Sequence, residues 1–415
     1  MQNSHDPYLA LRFREFRFLL VGIFFAGLGS QMITVAIGWE LYERTGSALA
    51  LGIVGLVQVI PVFILSLPAG QIIDRFNRKR IVIWSQVVLV FCSLGLTALS
   101  FTHGPLPLIY ACLLLYGCAV AFESPASAIL VAQIVPEHAF ENAATWESSI
   151  GQLASVLGPA LGGLLIALLK SAALVYALNA GAALTFIILL FFLRLNQQKT
   201  YTVEATTFGA MVEGLRFLKS SQIILAAITL DMFAVFLGGA TALLPIFAKD
   251  ILHVGPSGLG WLRAAPSIGA LGMSFVTAHM PPLKKAGRTL LLVVACFGAA
   301  TIVFGISRVF WLSLVMLLVL GAMDNISVVI RSTLLLTRTP DALRGRITAI
   351  NFIFIGASNE LGGFESGLAA QLFGPVIAVA AGGVGTVLVV LCIALIWPEM
   401  RRLGALSESK SDPQL

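Results

Sequence analysis

Apolar residues in this chain come in runs of about twenty, and the runs follow one another with little interruption from residue 18 to residue 397. A helix needs about 20 mainly apolar residues to cross the hydrocarbon core of a bilayer. Twelve such stretches can be counted if two long tracts are divided at internal polar positions: 18–41, 48–73, 81–101, 106–134, 143–169, 172–193, 221–248, 257–279, 289–307, 309–337, 345–371 and 374–397. Hydrophobic residues make up 58% of the 415 and charged residues 11%, against about 45–50% and about 25% in soluble domains. A water-soluble globule is excluded, and the expected fold class is an all-α integral membrane protein with twelve transmembrane helices.

The basic residues orient these spans. If the loop after the first span is outside, twenty of the 26 Lys and Arg fall in segments on the inner side. Arg44, Lys170, Lys249 and Arg308 fall outside, and Arg263 and Arg331 lie within spans. Basic residues concentrate in cytoplasmic loops, so both termini are expected in the cytoplasm and a multi-pass protein in a bacterial inner membrane. The net charge of +6 is spread over these loops in pairs and triplets, which is topology and not a nucleic-acid surface. Trp39, Trp84, Trp261, Trp311 and Trp397 lie near span ends, as an interfacial aromatic belt requires. Cys92, Cys112, Cys118, Cys296 and Cys392 lie in apolar runs with no CxxC pair, so neither disulfides, a metal site nor a cofactor is expected. Arg12, Arg14 and Arg17 precede a run long enough to span, with no small-residue cleavage site after it, and the first helix is expected to be retained.

Between the second and third spans, Gly70-Gln-Ile-Ile-Asp74-Arg75-Phe-Asn77-Arg78-Lys79-Arg80 packs five charges into a short loop. The order of Gly, three residues, Asp-Arg, two residues and a basic cluster resembles the signature of the major facilitator superfamily. The resemblance implies that Gly70 allows close helix packing and that Asp74 faces a helix N-terminus, whose partial positive charge favours an anion. It further implies that Arg75, Arg78 and Arg80 pair with carboxylates, forming a cytoplasmic gate made in one state and broken in another. The alternative is a topological anchor alone. Asn77 stands where the family usually has Gly, and Asn also tolerates a left-handed turn.

The chain repeats itself. Gly117 and Gly321, Pro136-Glu137 and Pro340-Asp341, and Gly158 and Gly362 are each separated by 204 residues. Two six-helix, pseudo-symmetric halves are therefore expected, 1–195 and 221–398, with a substrate site near the midplane. A cytoplasmic linker, 196–220, joins them and a cytoplasmic tail, 399–415, follows. Within the linker Phe208, Met211, Val212, Leu215 and Leu218 recur at helical spacing opposite Glu213, Arg216 and Lys219, predicting a short amphipathic helix on the membrane surface.

A charge at the membrane centre costs about 2.5–3.5 kcal/mol on insertion scales, so charged residues within spans mark protein-facing or water-facing positions. Glu123, Glu147, Asp231, Arg263, Asp324, Arg331 and Glu360 qualify. Glu147 is near a cytoplasmic end and reads as a structural partner of the basic loops. Asp231 lies about ten residues into an apolar run and is the candidate proton-exchanging acid. Asp324 and Arg331 share a helix face, either as a buried structural ion network or as part of a cavity in which Arg331 meets an anionic part of the cargo. Arg331 stands at the repeat position of Ser127. Gly158-Pro159-Ala160-Leu161-Gly162-Gly163 resembles the GPxxGG part of the motif of antiporter branches of the superfamily, although Ala154 replaces its upstream Gly. Cys112 stands where many drug:proton antiporters carry Arg. The run Phe122-Glu123-Ser124-Pro125-Ala126, with Val135-Pro136-Glu137 and Asn142-Ala143, is similar to the branch of enterobactin exporters and macrolide efflux proteins.

No nucleophile–base pair, nucleotide loop or metal-ligand cluster is visible, so an enzyme is not expected. The expected function is secondary active export of an amphiphilic organic molecule of siderophore or drug type, by alternating access and against protons. Alternatives are a lysophospholipid or other lipid transporter, and a non-transporting membrane sensor of the same fold. The expected partners are that small substrate, protons and membrane lipid, without nucleic acid, and the expected state is a monomer.

Overall fold

The structure is a computed structural model, and it describes residues 6–194, 208–281 and 284–404. Its long helices are α1 (Arg14–Thr45), α2 (Ala48–Arg75), α3 (Arg78–Phe101), α4 (Leu106–Ile134), α5 (Phe140–Leu169) and α6 (Ala173–Phe192). A short helix α7 (Phe208–Ser220) follows, then α8 (Gln222–Leu237), a three-residue helix α9 (Leu244–Ile246), α10 (Gly255–His279), α11 (Ala286–Ile306), α12 (Phe310–Arg338), α13 (Asp341–Phe373), α14 (Pro375–Ile396) and α15 (Pro398–Arg402). Among the described residues ten helical stretches are long and apolar enough to cross a membrane. The expected spans at 257–279 and 345–371 are not among them, although α10 has 25 residues and α13 has 33. Length is sufficient, at about 1.5 Å per residue. Composition dilutes their hydropathy: α10 is rich in Gly and Ser and holds Arg263, and α13 holds Arg344, Arg346, Glu360 and Glu365.

The seventh span is not the continuous helix expected over 221–248. After α8 the chain breaks at Gly238 and Gly239, makes a 3-10 turn over Ala240–Leu243, resumes as α9 and widens into a π-helical turn over Phe247–Ile251. Pro245 removes a backbone donor. A Cβ on Gly239 would lie 2.7 Å from the Gly362 carbonyl oxygen, so this glycine lets the break pack against α13.

The chain forms two compact units, one of residues 1–43, 57–205 and 255–264, the other of residues 44–56, 206–254 and 265–415. Two short segments, 44–56 and 255–264, belong to a different unit from the residues on either side of them in the chain. The start of α2 packs within the second unit, where Ser47 Oγ donates to Gln371 Oε1 at 3.0 Å. The start of α10 packs within the first.

In the first unit α3 lies against α4 and α6; in the second α11 lies against α12 and α14. The repeat is visible in the glycines that let helices touch. A Cβ on Gly117 of α4 would lie 2.5 Å from the Gln58 carbonyl oxygen of α2, and its counterpart Gly321 of α12 abuts Pro266 of α10 in the same way. Gly158 of α5 faces Leu28 and Gln31 of α1, while Gly362 of α13 faces Val235 and Phe236 of α8. The offset of 204 extends to Gly163 and Gly367, which a reading of the motif alone does not reveal. Gly163 meets Gly260 of α10 and Gly367 meets Gly52 of α2, each with under 3 Å between the hypothetical Cβ and the opposing α-carbon. In membranes small residues let backbones approach where no hydrophobic force drives association.

Of the expected linker, 196–207 lies outside the described residues, as does 405–415 of the expected tail. Helix α7 packs on α13: Leu218 is buried with Ile224, Ile347 and Ile350, and Glu213 is ion-paired with Arg346. It is thereby tied to the second unit by side chains as well as by the chain.

Candidate functional site

The second unit holds the strongest concentration of charge within spans. Asp231, in the middle of α8, is 6% exposed, and Arg331 of α12 is 4% exposed. Arg331 Nη1 lies 2.5 Å from Asp231 Oδ2, and Arg331 Nε donates to Ser327 Oγ, one turn earlier, at 3.2 Å. The serine fixes the direction of the guanidinium and the aspartate neutralises it. Asp324, two turns before Arg331, is close enough to interact with both Arg331 and Asp231. One guanidinium therefore serves two carboxylates. A small cavity beside the pair is lined by Asp231, Asp324, Ser327, Phe297 and Met323. Beside Asp324 in sequence, Asn325 Nδ2 donates to Ser274 Oγ of α10 at 2.9 Å. The guanidinium expected to meet cargo is thus in contact with Asp231 and Ser327.

The first unit has a second polar cluster. Glu123 of α4 is hydrogen-bonded by the side chain of Gln86 of α3 and interacts electrostatically with Glu147 of α5. Gln86 is 1% exposed and its Oε1 has no partner among the described residues. Two turns from Glu123 towards the N-terminus, Tyr116 hydrogen-bonds Ser30 of α1 and Asn179 of α6, whose Nδ2 donates to Ser93 Oγ at 2.8 Å. The repeat exposes an exchange of roles. Glu123 and Ser127 correspond, 204 residues on, to Ser327 and Arg331. Each half keeps one serine and one charge, with position and sign swapped. Ser127 Oγ is buried without a partner among the described residues, whereas Ser327 holds the guanidinium.

In the loop that resembles the superfamily signature, Asn77 has φ −66° and is not left-handed, contrary to the expectation for a Gly replacement. It caps α3 instead, its Oδ1 accepting from Arg80 N at 3.2 Å, as Asn does at helix starts. Lys79 Nζ donates to the Leu193 carbonyl at the end of α6, at 2.8 Å. Arg78 Nε is buried and unpaired among the described residues, and Arg75 and Arg80 are exposed. Asp74 lies in the last turn of α2 without an ion pair among the described residues. A Cβ on Gly70 would meet no atom within 4 Å, so the close packing implied there is not present in this structure.

Gly158, Pro159, Gly162 and Gly163 are all buried on α5. Gly158 and Gly162 receive Gln31 and Met32 of α1, and Gly163, with the Pro159 carbonyl, receives Gly260. Arg263 is half-buried three residues further along α10. A Cβ on Gly55 would meet the Glu360 carboxylate, which would have to shift to admit it.

Charge within an apolar run identified Asp231, Asp324, Arg331 and Glu123. It passed over Gln86, Tyr116, Asn179 and Ser93, which are neutral. Polar residues on the buried faces of α3, α4 and α6 are the signal that identifies them. Asn142 and Trp146 hold residues 7–10 against α5. Asn142 accepts from Ala10 N and donates to the Pro7 carbonyl, both at 2.8 Å, and Trp146 Nε1 donates to Pro7 at 3.1 Å.

The model of the family described as "Transmembrane secretion effector" matches residues 5–414. The multidrug efflux pump Tap of Mycolicibacterium fortuitum is 27% identical over 361 residues, which is 84% of this chain and 87% of that protein. The enterobactin exporter EntS of Citrobacter koseri is 26% identical over 399 residues, 93% of this chain and 92% of that one. Among solved structures, a POT family transporter in complex with a thioalcohol-conjugated peptide superposes with a TM-score of 0.74 at 11% identity, covering 93% of this chain and 96% of that one. A bacterial homologue of the iron transporter ferroportin, in an inward-facing state, gives 0.69 at 16%, with 92% and 98% covered. These likenesses show a shared fold, and α10 and α13, of 25 and 33 residues, are long enough to supply two further spans. With a matched model over nearly its whole length, the chain belongs to the transmembrane secretion effector family of the major facilitator superfamily, a family of membrane transporters and not of enzymes.

Proposed function

We propose that the protein exports an amphiphilic organic molecule from the cytoplasm in exchange for protons, with Asp231, Asp324 and Arg331 as the coupling group. The observation that carries this reading is the buried contact of Arg331 with Asp231 beside a second acid. One guanidinium offsets only one of the two carboxylate charges, so the acid it holds less closely is the one that carries the proton. Transfer of Arg331 from Asp231 to Asp324, along its own helix face, exchanges which acid that is. A movement that wets the small cavity then delivers or removes the proton, and a cargo that disturbs the same pair is coupled to it. The identities of Tap and EntS as a multidrug pump and a siderophore exporter support a cargo of that size and character. The gate role of Asp74 and Arg75 belongs to this reading, as the latch that holds the cytoplasmic side closed in the outward-facing state.

The test is cargo flux with simultaneous lumenal pH in proteoliposomes. Asp231→Asn is expected to abolish uphill export driven by an imposed pH gradient while downhill exchange of cargo persists, and Asp231→Glu retains part of both. Uphill export by Asp231→Asn at the parental proton ratio overturns the assignment.

A further inference from the structure

We infer that the second unit carries a binding site for an anionic phospholipid of the cytoplasmic leaflet, at the junction of α11, α14 and α15. The inference rests on membrane residence and on the cytoplasmic placement of the end of α14, and is independent of the cargo and of proton coupling. After α14 the chain turns back on the start of α11: Ala286 N donates to the Gly404 carbonyl at 3.1 Å and Gly287 N to that of Leu403 at 3.4 Å. Gly287 has no side chain and lets the Met400 carbonyl sit against it. The fold-back brings Arg401 and Arg402 of α15 beside Arg288 in the first turn of α11, and Arg288 Nε donates to the Arg401 carbonyl at 3.3 Å. These three arginines stand at the mouth of a cavity of about 690 Å3.

The inner wall of that cavity is apolar, formed by Leu291, Leu292 and Ala295 of α11 and Val390 of α14. None of the three guanidiniums makes an ion pair among the described residues, and all are exposed. Glu399, in the same short helix, leaves the mouth with a surplus of positive charge. A free phosphate would satisfy the arginines and leave the apolar wall bare. A diacyl lipid satisfies both, with its headgroup at the mouth and a chain along α11, where Leu292 is 62% exposed. Basic pockets between spans on the cytoplasmic side bind anionic headgroups. The cavity of about 540 Å3 between α3 and α4, with Arg80 alone at its mouth, lacks this clustered charge.

The experiment is native mass spectrometry of the purified full-length protein in a non-ionic detergent, titrated with phosphatidylglycerol or with phosphatidylcholine of the same chains. The first phosphatidylglycerol is expected to bind about tenfold tighter than the first phosphatidylcholine, and Arg402→Gln is expected to cost about fivefold, as befits one arginine near an anionic surface. Arg401→Gln with Arg402→Gln brings the two lipids to equal affinity. Leu292→Trp, which fills the wall and leaves the arginines intact, weakens both lipids. Equal affinity in the parent protein, or full phosphatidylglycerol affinity in the double variant, overturns the site. So does displacement of the lipid by millimolar inorganic phosphate with no effect of Leu292→Trp, which assigns the arginines to a soluble anion.

Discussion

Arg331 and Asp231 show how an interaction within a span is unequal to the sum of its parts. A buried ion pair adds little net stability because both groups lose water, yet removing one partner strands the other at a cost of about 3–5 kcal/mol. Arg331→Leu is therefore expected to lower the thermal midpoint of the purified protein by several degrees, and Arg331→Leu with Asp231→Leu to lower it much less. Equal losses in the single and double variants would show that the pair is not formed. Asn142 makes a different prediction. Its two bonds hold the backbone of residues 7–10 against α5, each worth about 1 kcal/mol. Asn142→Ala should speed trypsin cleavage at Arg12 severalfold without unfolding the protein, as read by gel and midpoint. Both acids and the arginine of the second unit were legible as charges in apolar runs. Their pairing was not, because Asp231 and Arg331 lie on helices far apart in sequence and no local period relates them.

At the scale of elements, helix starts and stops followed hydrophobicity closely, but the seam contacts depended on single glycines. Gly117→Ala would set a Cβ 2.5 Å from the Gln58 carbonyl oxygen, and overpacking of this kind costs about 1–3 kcal/mol. Gly70→Ala meets no atom within 4 Å. The first substitution should lower the midpoint by several degrees and the second should shift it by no more than about one, since only a methyl in open space is added. A comparable loss in both would mean that Gly70 is packed in the dominant state. The broken seventh span was not legible: Gly238, Gly239 and Pro245 are visible in the sequence, but whether such residues bend, break or merely thin a helix depends on what packs beside them, here Gly362 and Ser366.

At the scale of the molecule, the expected topology is testable directly. In a background lacking the five cysteines, a cysteine replacing His103, between α3 and α4, should react with a membrane-impermeant thiol reagent in intact cells. One replacing Phe76, between α2 and α3, should react only after permeabilisation. The reverse pattern would invert the orientation and place both termini outside. The two halves share a plan down to their glycine contacts, Gly117 with Gly321, Gly158 with Gly362 and Gly163 with Gly367, while their polar interiors have diverged. Packing tolerates few alternatives to a missing side chain at a helix crossing. A charge can change sign and move one turn along a helix while a serine takes its former place, as Glu123 with Ser127 and Arg331 with Ser327 show.

The amino-acid sequence alone determined that this is a helical membrane protein, that it is duplicated and which charges lie within its apolar runs. Those properties are set by local hydrophobicity and by a fixed offset, and both are one-dimensional. Tertiary structure decided the rest: that Arg331 meets Asp231, that Asn77 caps α3 and that Gln86 faces Glu123. It also decided that Arg288, Arg401 and Arg402 share one mouth. Each of these joins residues whose separation in space is fixed by helix packing, a long-range property that no window of sequence contains.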